Sequence, residues 1–377
     1  MKSRVQTILA AAGCEPDEHT GALSPPIHMA TTFERDADGG YGRGFVYGRL
    51  ENPTRTLLEK TMTELEGGAA AAAFSTGMAA ASTVLMALDP GDHVLIANDV
   101  YHGVRTVLRE ILTRWKLDWS DVDQTNLDAV RAAMRPNTRL LWAESPSNPM
   151  ARIVDINALV EVAEDAGAKL IVDCTWVPFL QHPLDLGADL VLHSSTKYLS
   201  GHSDAMGGIL VSRDENEFMG RIRQLQREVG AIADPFSSWL TLRGMRSLAW
   251  RMRGHCENAA AIAVFLEQHE GVAQVHHPSL KSHPGHELAT RQMSDFGGMM
   301  SFEVNGSEAD AIAVAAGVKL FIRATSLGGT ESLIEHRRSI EGPYSRTPAE
   351  LLRLSVGLEH VEDLIEDLAR ALAVLRA

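Results

Sequence analysis

"KLIVDCTW" (169–176) and "DLVLHSSTKYLSGH" (189–202) decide how this chain folds. Each begins as a short apolar run and breaks into polar residues, the first at Asp173, the second at Ser194, Thr196 and Lys197. Runs of roughly four to eight apolar residues with such ends read as buried strands. "HVLIA" (93–97), "RLLWAE" (139–144) and "GGILVS" (207–212) share the form. Helical stretches lie between several of them, for example 155–167, "DINALVEVAEDAG", stopping at Gly167. Strands that alternate with helices predict an α/β fold, a mostly parallel sheet with helices on both faces.

Outward from this block the pattern changes twice. Before it, "TGALSPPIHMATTF" and "GGYGRGFVYGRLENPTR" are rich in Gly, Pro and Thr and carry no period. A long irregular segment of this kind suits an arm that wraps a partner. From Thr54 a helical stripe begins, with Leu57, Leu58, Met62 and Leu65 on one side and "EGG" as its stop. After about Pro235, Leu242, Met245, Leu248, Met252 and Cys256 recur at spacings of three and four, predicting a long helix running to "FLEQHEG". "GMMSFEV", "VKLFIRAT" and "LLRLSVGL" then read as strands, with a terminal helix from about 361. The expected division is an arm over 1–53, a large domain over 54–240 and a small α/β domain over 241–377.

Bulk composition narrows the function. Of 377 residues, 45% are apolar, enough for a large core. The net charge of −14 disfavours nucleic acid and anionic membranes as partners. No run reaches the roughly 20 apolar residues of a membrane span. "MKSRVQTILAAAGCEPDEHTG" turns polar too early for a secretory signal. Cys14, Cys174 and Cys256 are few and widely spaced, fitting neither a disulfide framework nor a metal site. The expectation is a cytoplasmic protein.

In open α/β sheets, ligands collect at the carboxyl ends of strands. Four polar signals fall there: Asn148 after "RLLWAESPSNP", Asp173, the Ser194–Thr196–Lys197 cluster, and "FSTGMAAA" (74–81), which starts a helix at Gly77 and Met78. A glycine-led helix start suits a phosphate, with Ser194 and Thr196 as added donors. A buried aspartate needs a cation or a protonated nitrogen. A buried lysine is unusual unless paired or chemically occupied, and an imine with a carbonyl occupies it. Pyridoxal phosphate asks for all three partners at once.

The chain resembles the Cys/Met-metabolism family of pyridoxal-phosphate enzymes, which includes cystathionine γ-synthase, γ-lyase and β-lyase and methionine γ-lyase. The likeness runs nearly end to end through "YGRLENPTR", "FSTGMAA", "LDPGDHVL", "ESPSNP", "HSSTKYLSGHSD", "HCENA", "SLGGTESLIEH" and "LLRLSVGLE". It implies a fold-type I transferase and assigns roles by position. Lys197 would be the imine lysine and proton carrier, working through an external aldimine. Asp173 would pair with the ring nitrogen, with Thr175 beside the ring. Gly77, Met78, Ser194 and Thr196 would hold the phosphate, joined by Tyr47 and Arg49 from the arm of a neighbouring subunit. Tyr101 would stack on the ring, Asn148 would lie by the ring hydroxyl, and Arg353 would clamp the substrate carboxylate near Ser326. The resemblance also implies active sites shared across a dimer, usually within a tetramer, which would explain the irregular arm.

Substrate choice stays open. Family members commonly carry a glutamate before "SLGG", suited to a distal ammonium, and this chain has Thr325. Gly103 stands two residues beyond Tyr101, where methionine γ-lyases commonly have cysteine; Trp176 has β-lyase character. "EHRRSIEGPYSRTP" departs from an "HPA" pattern and adds Arg337 and Arg338 near the expected site entrance, either for an acidic substrate tail or as solvated surface. The first expectation is C–S elimination or γ-replacement of the cystathionine type. β-Lyase, methionine γ-lyase and O-acylhomoserine sulfhydrylase are the alternatives, with an aminotransferase or a non-catalytic relative more distant.

Overall fold

The structure is a computed structural model, and it describes residues 3–376. Seven strands form the larger sheet: β1 (Ala70–Phe74), β2 (His93–Ala97), β3 (Asp118–Val122), β4 (Thr138–Glu144), β5 (Lys169–Asp173), β6 (Leu190–His193) and β7 (Gly208–Ser212). Their order is β1-β7-β6-β5-β4-β2-β3. The pairs from β6 through β5, β4 and β2 to β3 are parallel, and β7 runs antiparallel to both of its neighbours. Runs such as "HVLIA" are buried along their whole length, as expected of strands covered by helices on both faces.

Local chemistry explains where the covering helices start and stop. Asn52 accepts the amides of Thr54 and Arg55 to open helix Pro53–Glu66, which ends at Gly67 in the left-handed region. Thr76 caps Gly77–Met86 and Asp155 caps Ile156–Asp165 in the same manner. The arm is mostly irregular. It has one short helix, Val5–Ala10, whose Ile8 and Leu9 join the core beneath the larger sheet.

A five-stranded sheet follows: β8 (Val272–His276), β9 (Met299–Val304), β10 (Ile322–Arg323), β11 (Leu333–His336) and β12 (Leu351–Ser355), in the order β10-β11-β12-β9-β8. The strand expected over "VKLFIRAT" shrinks to the two residues of β10. The cause is Asp367, on helix Val361–Leu372, whose carboxylate takes the amides of Lys319, Leu320 and Phe321. Those donors are lost to any ladder.

One helix, Pro235–Glu267, serves both sheets over 33 residues. Its Leu242, Met245, Leu248 and Met252 pack into the core of the larger sheet, and its Ile262 and Leu266 into that of the smaller one. The boundary drawn at 240/241 lies inside this helix. Arg251 extends from it to donate to the carbonyl of Tyr198, at 2.8 Å. Gly244 lets the helix cross directly over the lysine segment, because a Cβ there would run into the Ser200 carbonyl. Gly244→Ala is therefore expected to lower stability by about 1–3 kcal/mol through overpacking. Urea denaturation measures it, and an unchanged midpoint would mean the crossing is loose.

Candidate active site

The carboxyl ends of β1, β2, β4, β5 and β6 converge on a cavity of about 420 Å³. Ten of the expected residues line it: Gly77, Met78, Tyr101, Asn148, Asp173, Thr175, Ser194, Thr196, Lys197 and Ser326, with Arg353 as an eleventh. Tyr47 and Arg49 do not.

Lys197 follows β6 in a tight turn, its amide bonded to the Ser194 carbonyl and its own carbonyl to the Gly201 amide. Its Nζ donates to Ser326 Oγ at 2.7 Å. Ser326 holds φ at +79°, a left-handed conformation that costs a serine of order 1–3 kcal/mol. That backbone also turns the Ser326 carbonyl to Arg353 Nη2, at 2.9 Å. One residue thus joins the amine to the guanidinium. Burial, and then the charges of Arg353 and Arg337, pull the lysine pKa down to about 8.

Parallel register sets Glu144 of β4 beside Asp173 of β5, two carboxyl groups at one depth. Burial raises the pKa of Asp173, and the amide and hydroxyl of Thr175 only partly offset it. The Thr175 hydroxyl also accepts the Ser194 amide at 2.9 Å, tying the ends of β5 and β6 together. Glu144 is pushed well above the usual carboxylate range, by burial first and by Asp173 second. It accepts the amides of Tyr101 and Asn148 at 2.8 and 2.9 Å. Glu144 was not among the expected residues, although "ESPSNP" ends its strand on it.

The opposite end of the cavity is built for an anion. Thr76, Gly77 and Met78, at the start of helix Gly77–Met86, line it there, and a Cβ on Gly77 would stand 3.0 Å from Ser194 Oγ. Gly208 has a related role, since a Cβ there would meet the Thr76 carbonyl. The Thr196 hydroxyl is tied to both the amide and the carbonyl of Gly207, at 3.0 and 3.2 Å. An amine of lowered pKa, a buried carboxyl that faces the cavity, and an anion cradle fit the aldehyde, ring nitrogen and phosphate of pyridoxal phosphate.

Arg353 is buried, and its fork meets Asn148 Oδ1 at 3.1 Å and Glu335 Oε2 at 2.6 Å. Asn148, expected at the ring hydroxyl, lines the cavity and also accepts from Arg353. Arg337 and Arg338 separate. Arg337 is buried in the cavity wall between Glu335 and Glu341, so the solvated reading does not hold for it, whereas Arg338 is exposed. Glu335 is a second residue that the sequence reading passed over. Tyr47 is 44% exposed, and Arg49 donates to the Arg227 carbonyl at 2.6 Å.

The chain matches the family described as Cys/Met metabolism PLP-dependent enzyme over residues 6–373. It is 48% identical to the cystathionine gamma-synthase of Mycobacterium tuberculosis over 368 residues, covering 96% of this chain and 95% of that protein. It is 42% identical to the cystathionine gamma-lyase of Bacillus subtilis over 378 residues, covering 97% and 98%. The crystal structure of cystathionine gamma synthase from Xanthomonas oryzae pv. oryzae, in complex with aminoacrylate and cysteine, superposes with a TM-score of 0.94. That pair shares 41% identity, with 99% of this chain and 98% of the other covered. With its lysine, buried carboxyl and anion cradle in one cavity, the chain belongs to the family of Cys/Met-metabolism PLP-dependent enzymes.

Proposed function

We propose that the chain catalyses γ-replacement of the cystathionine γ-synthase type, with elimination when no thiol is present. In the net reaction the Cγ–O bond of an O-acylated homoserine breaks and a Cγ–S bond to cysteine forms. The thiol proton leaves with the carboxylic acid. The observation that carries this reading is the Lys197–Ser326–Arg353 chain, which sets a buried amine of lowered pKa beside a carboxylate clamp.

Pyridoxal phosphate bound here supplies an aldehyde for the amino group and a protonated ring that accepts electrons released at Cα. Lys197 takes the α-proton and returns it, and Ser326 aims its Nζ. Arg353 holds the α-carboxylate and Asn148 braces the guanidinium. Asp173 keeps the ring nitrogen protonated, helped by Thr175. Tyr101 covers the ring, steadied by Glu144. Gly77, Met78, Ser194 and Thr196 bind the phosphate. Thr325 on the wall favours a second reading, a sulfhydrylase, since it offers a hydroxyl where a distal ammonium would want a carboxylate.

Tyr47 and Arg49 serve the phosphate of a neighbouring subunit in this proposal. In support, both stand away from their own chain's cavity, and the arm also exposes Leu23 and Met29. Large exposed apolar side chains in one region suit burial by a second copy. The assembly is then a dimer with shared sites, paired into a tetramer. Three free cysteines support a cytoplasmic placement, and among the described residues no helix is long and apolar enough to cross a membrane.

The deciding experiment incubates the holoenzyme with O-acetyl- or O-succinylhomoserine and either cysteine or sulfide, and measures thioether, thiol and keto acid. Cystathionine as the main product is expected. Homocysteine from sulfide alone selects the sulfhydrylase, and neither product overturns both readings. Lys197→Ala is expected to lower turnover by at least about 10²–10⁴-fold, with loss of the cofactor's visible absorbance. Capture of pyridoxal phosphate by apoprotein needs the neutral amine, so its rate is expected to rise with pH and level off above about 8. A rise continuing past pH 10 would mean an ordinary lysine. Arg49→Ala mixed with Lys197→Ala, after subunit exchange, is expected to regain activity through hybrid sites. Absence of rescue would mean that each chain completes its own site.

A further inference from the structure

We propose that Glu335 stands in for a substrate carboxylate on Arg353 and turns onto Arg337 when a substrate arrives, which makes Arg337 a positioning residue. The proposal rests on the reading of Arg353 as the carboxylate clamp.

Glu335 and Arg353 are direct cross-strand partners in the antiparallel pair β11–β12. Both are buried, so the guanidinium needs a counter-charge, and Glu335 supplies it at 2.6 Å. A substrate carboxylate must compete with that pair. Arg337, two residues beyond Glu335, shapes the contest. Its Nη1 reaches the same oxygen, Oε2, at 3.2 Å, so one carboxylate oxygen is shared between two arginines.

Two buried atoms beside this contact have no hydrogen-bond partner among the described residues: Glu335 Oε1 and Arg337 Nη2. They belong to residues already bonded through Oε2 and Nη1. A rotation of the Glu335 carboxylate that brings Oε1 to Nη2 converts this single bond into a bidentate fork. The same rotation withdraws Oε2 from Arg353. Both orphaned groups are satisfied as Arg353 is released, and unmade bonds of buried charged groups are costly. Arg337 itself is anchored during the change. Its Nε donates to Glu341 at 3.0 Å, and Glu341 in turn accepts from the hydroxyls of Ser345 and Thr347 at 2.7 and 2.8 Å. Without Arg337, Glu335 would keep Arg353 as its cationic partner, and substrate capture would weaken.

The test titrates holoenzyme with glycine, which has the α-carboxylate and no leaving group, and follows the visible absorbance of the cofactor. Arg337→Met is expected to raise the dissociation constant on the order of tenfold. Arg337→Lys, which keeps the charge without the fork, should fall between that variant and the parent. Adding Glu335→Gln to Arg337→Met should restore binding to within about threefold of the parent, because the competing charge is gone. A merely structural role predicts that the double variant is at least as weak as the single one, and that result overturns the hand-over. Unchanged binding in Arg337→Met overturns it as well. Should that variant fail to fold, the double variant and Arg337→Lys decide, and equal weakening of both refutes the proposal. Glycine binding does not depend on the later reaction. A parent that binds glycine but makes no thioether refutes the proposed activity alone, and Arg353→Ala with parent-like binding refutes the clamp.

Discussion

Lys197 and Arg353 carry like charges into one buried wall, and their repulsion sets the terms for the residues around them. In a region of low polarisability, neighbouring cations favour the neutral form of whichever can lose its proton. An arginine cannot, so the lysine yields: burial first, and then the charges of Arg353 and Arg337, pull its pKa down to about 8. Glu335 pairs directly with the arginine and offsets the lysine more weakly, as a nearby charge, while the lysine's own hydrogen bond goes to the Ser326 hydroxyl. An amine left partly neutral and aimed by one strained serine is a ready nucleophile and base. The same electrostatics that would make a fold fragile give this cavity its chemistry.

A second pair of like charges balances the first across the cavity. Glu144 and Asp173 are brought level by parallel register, and Asp173 adds to the burial that already resists ionisation of Glu144. Glu144 answers by gripping two backbone amides, which places Tyr101 and Asn148. Asp173 is left facing the cavity, with hydrogen bonds from Thr175 in support. Its remaining demand is for a protonated partner, and a pyridine nitrogen meets it.

Much of this was legible in the residues. The strands ending at Glu144, Asp173 and His193 announced themselves as short apolar runs, and the polar residues beyond them fell on the cavity. Other strands were not legible. β1 is "AAAAF", and alanine carries no β-preference; β3 is "DWSDV", a half-exposed edge strand without an apolar run. β10 was over-read because its length is set by Asp367, almost fifty residues later. Contacts across the second sheet were equally hidden. Nothing in "LIEH" and "LLRLS" separately says that Glu335 will face Arg353, since register is a property of the pair. Arg337 likewise read equally as a contact for an acidic substrate tail or as surface until the neighbouring carboxylates were in view.

The single reversed strand, β7, has a bearing on how the molecule comes into being. β1 is the first strand made, yet it joins the sheet only through β7, with Ala70 paired to Ser212. Gly77 and Ser194, the two walls of the anion cradle, lie beyond the ends of β1 and β6, and β7 separates those two strands. During synthesis the cradle therefore cannot close until the ribosome has passed residue 212. Such distant pairing is slow and leaves early strands unprotected. A nascent chain of this protein must therefore complete all seven strands of its larger sheet before it can recruit a vitamin, which makes ligand capture a late event in its maturation.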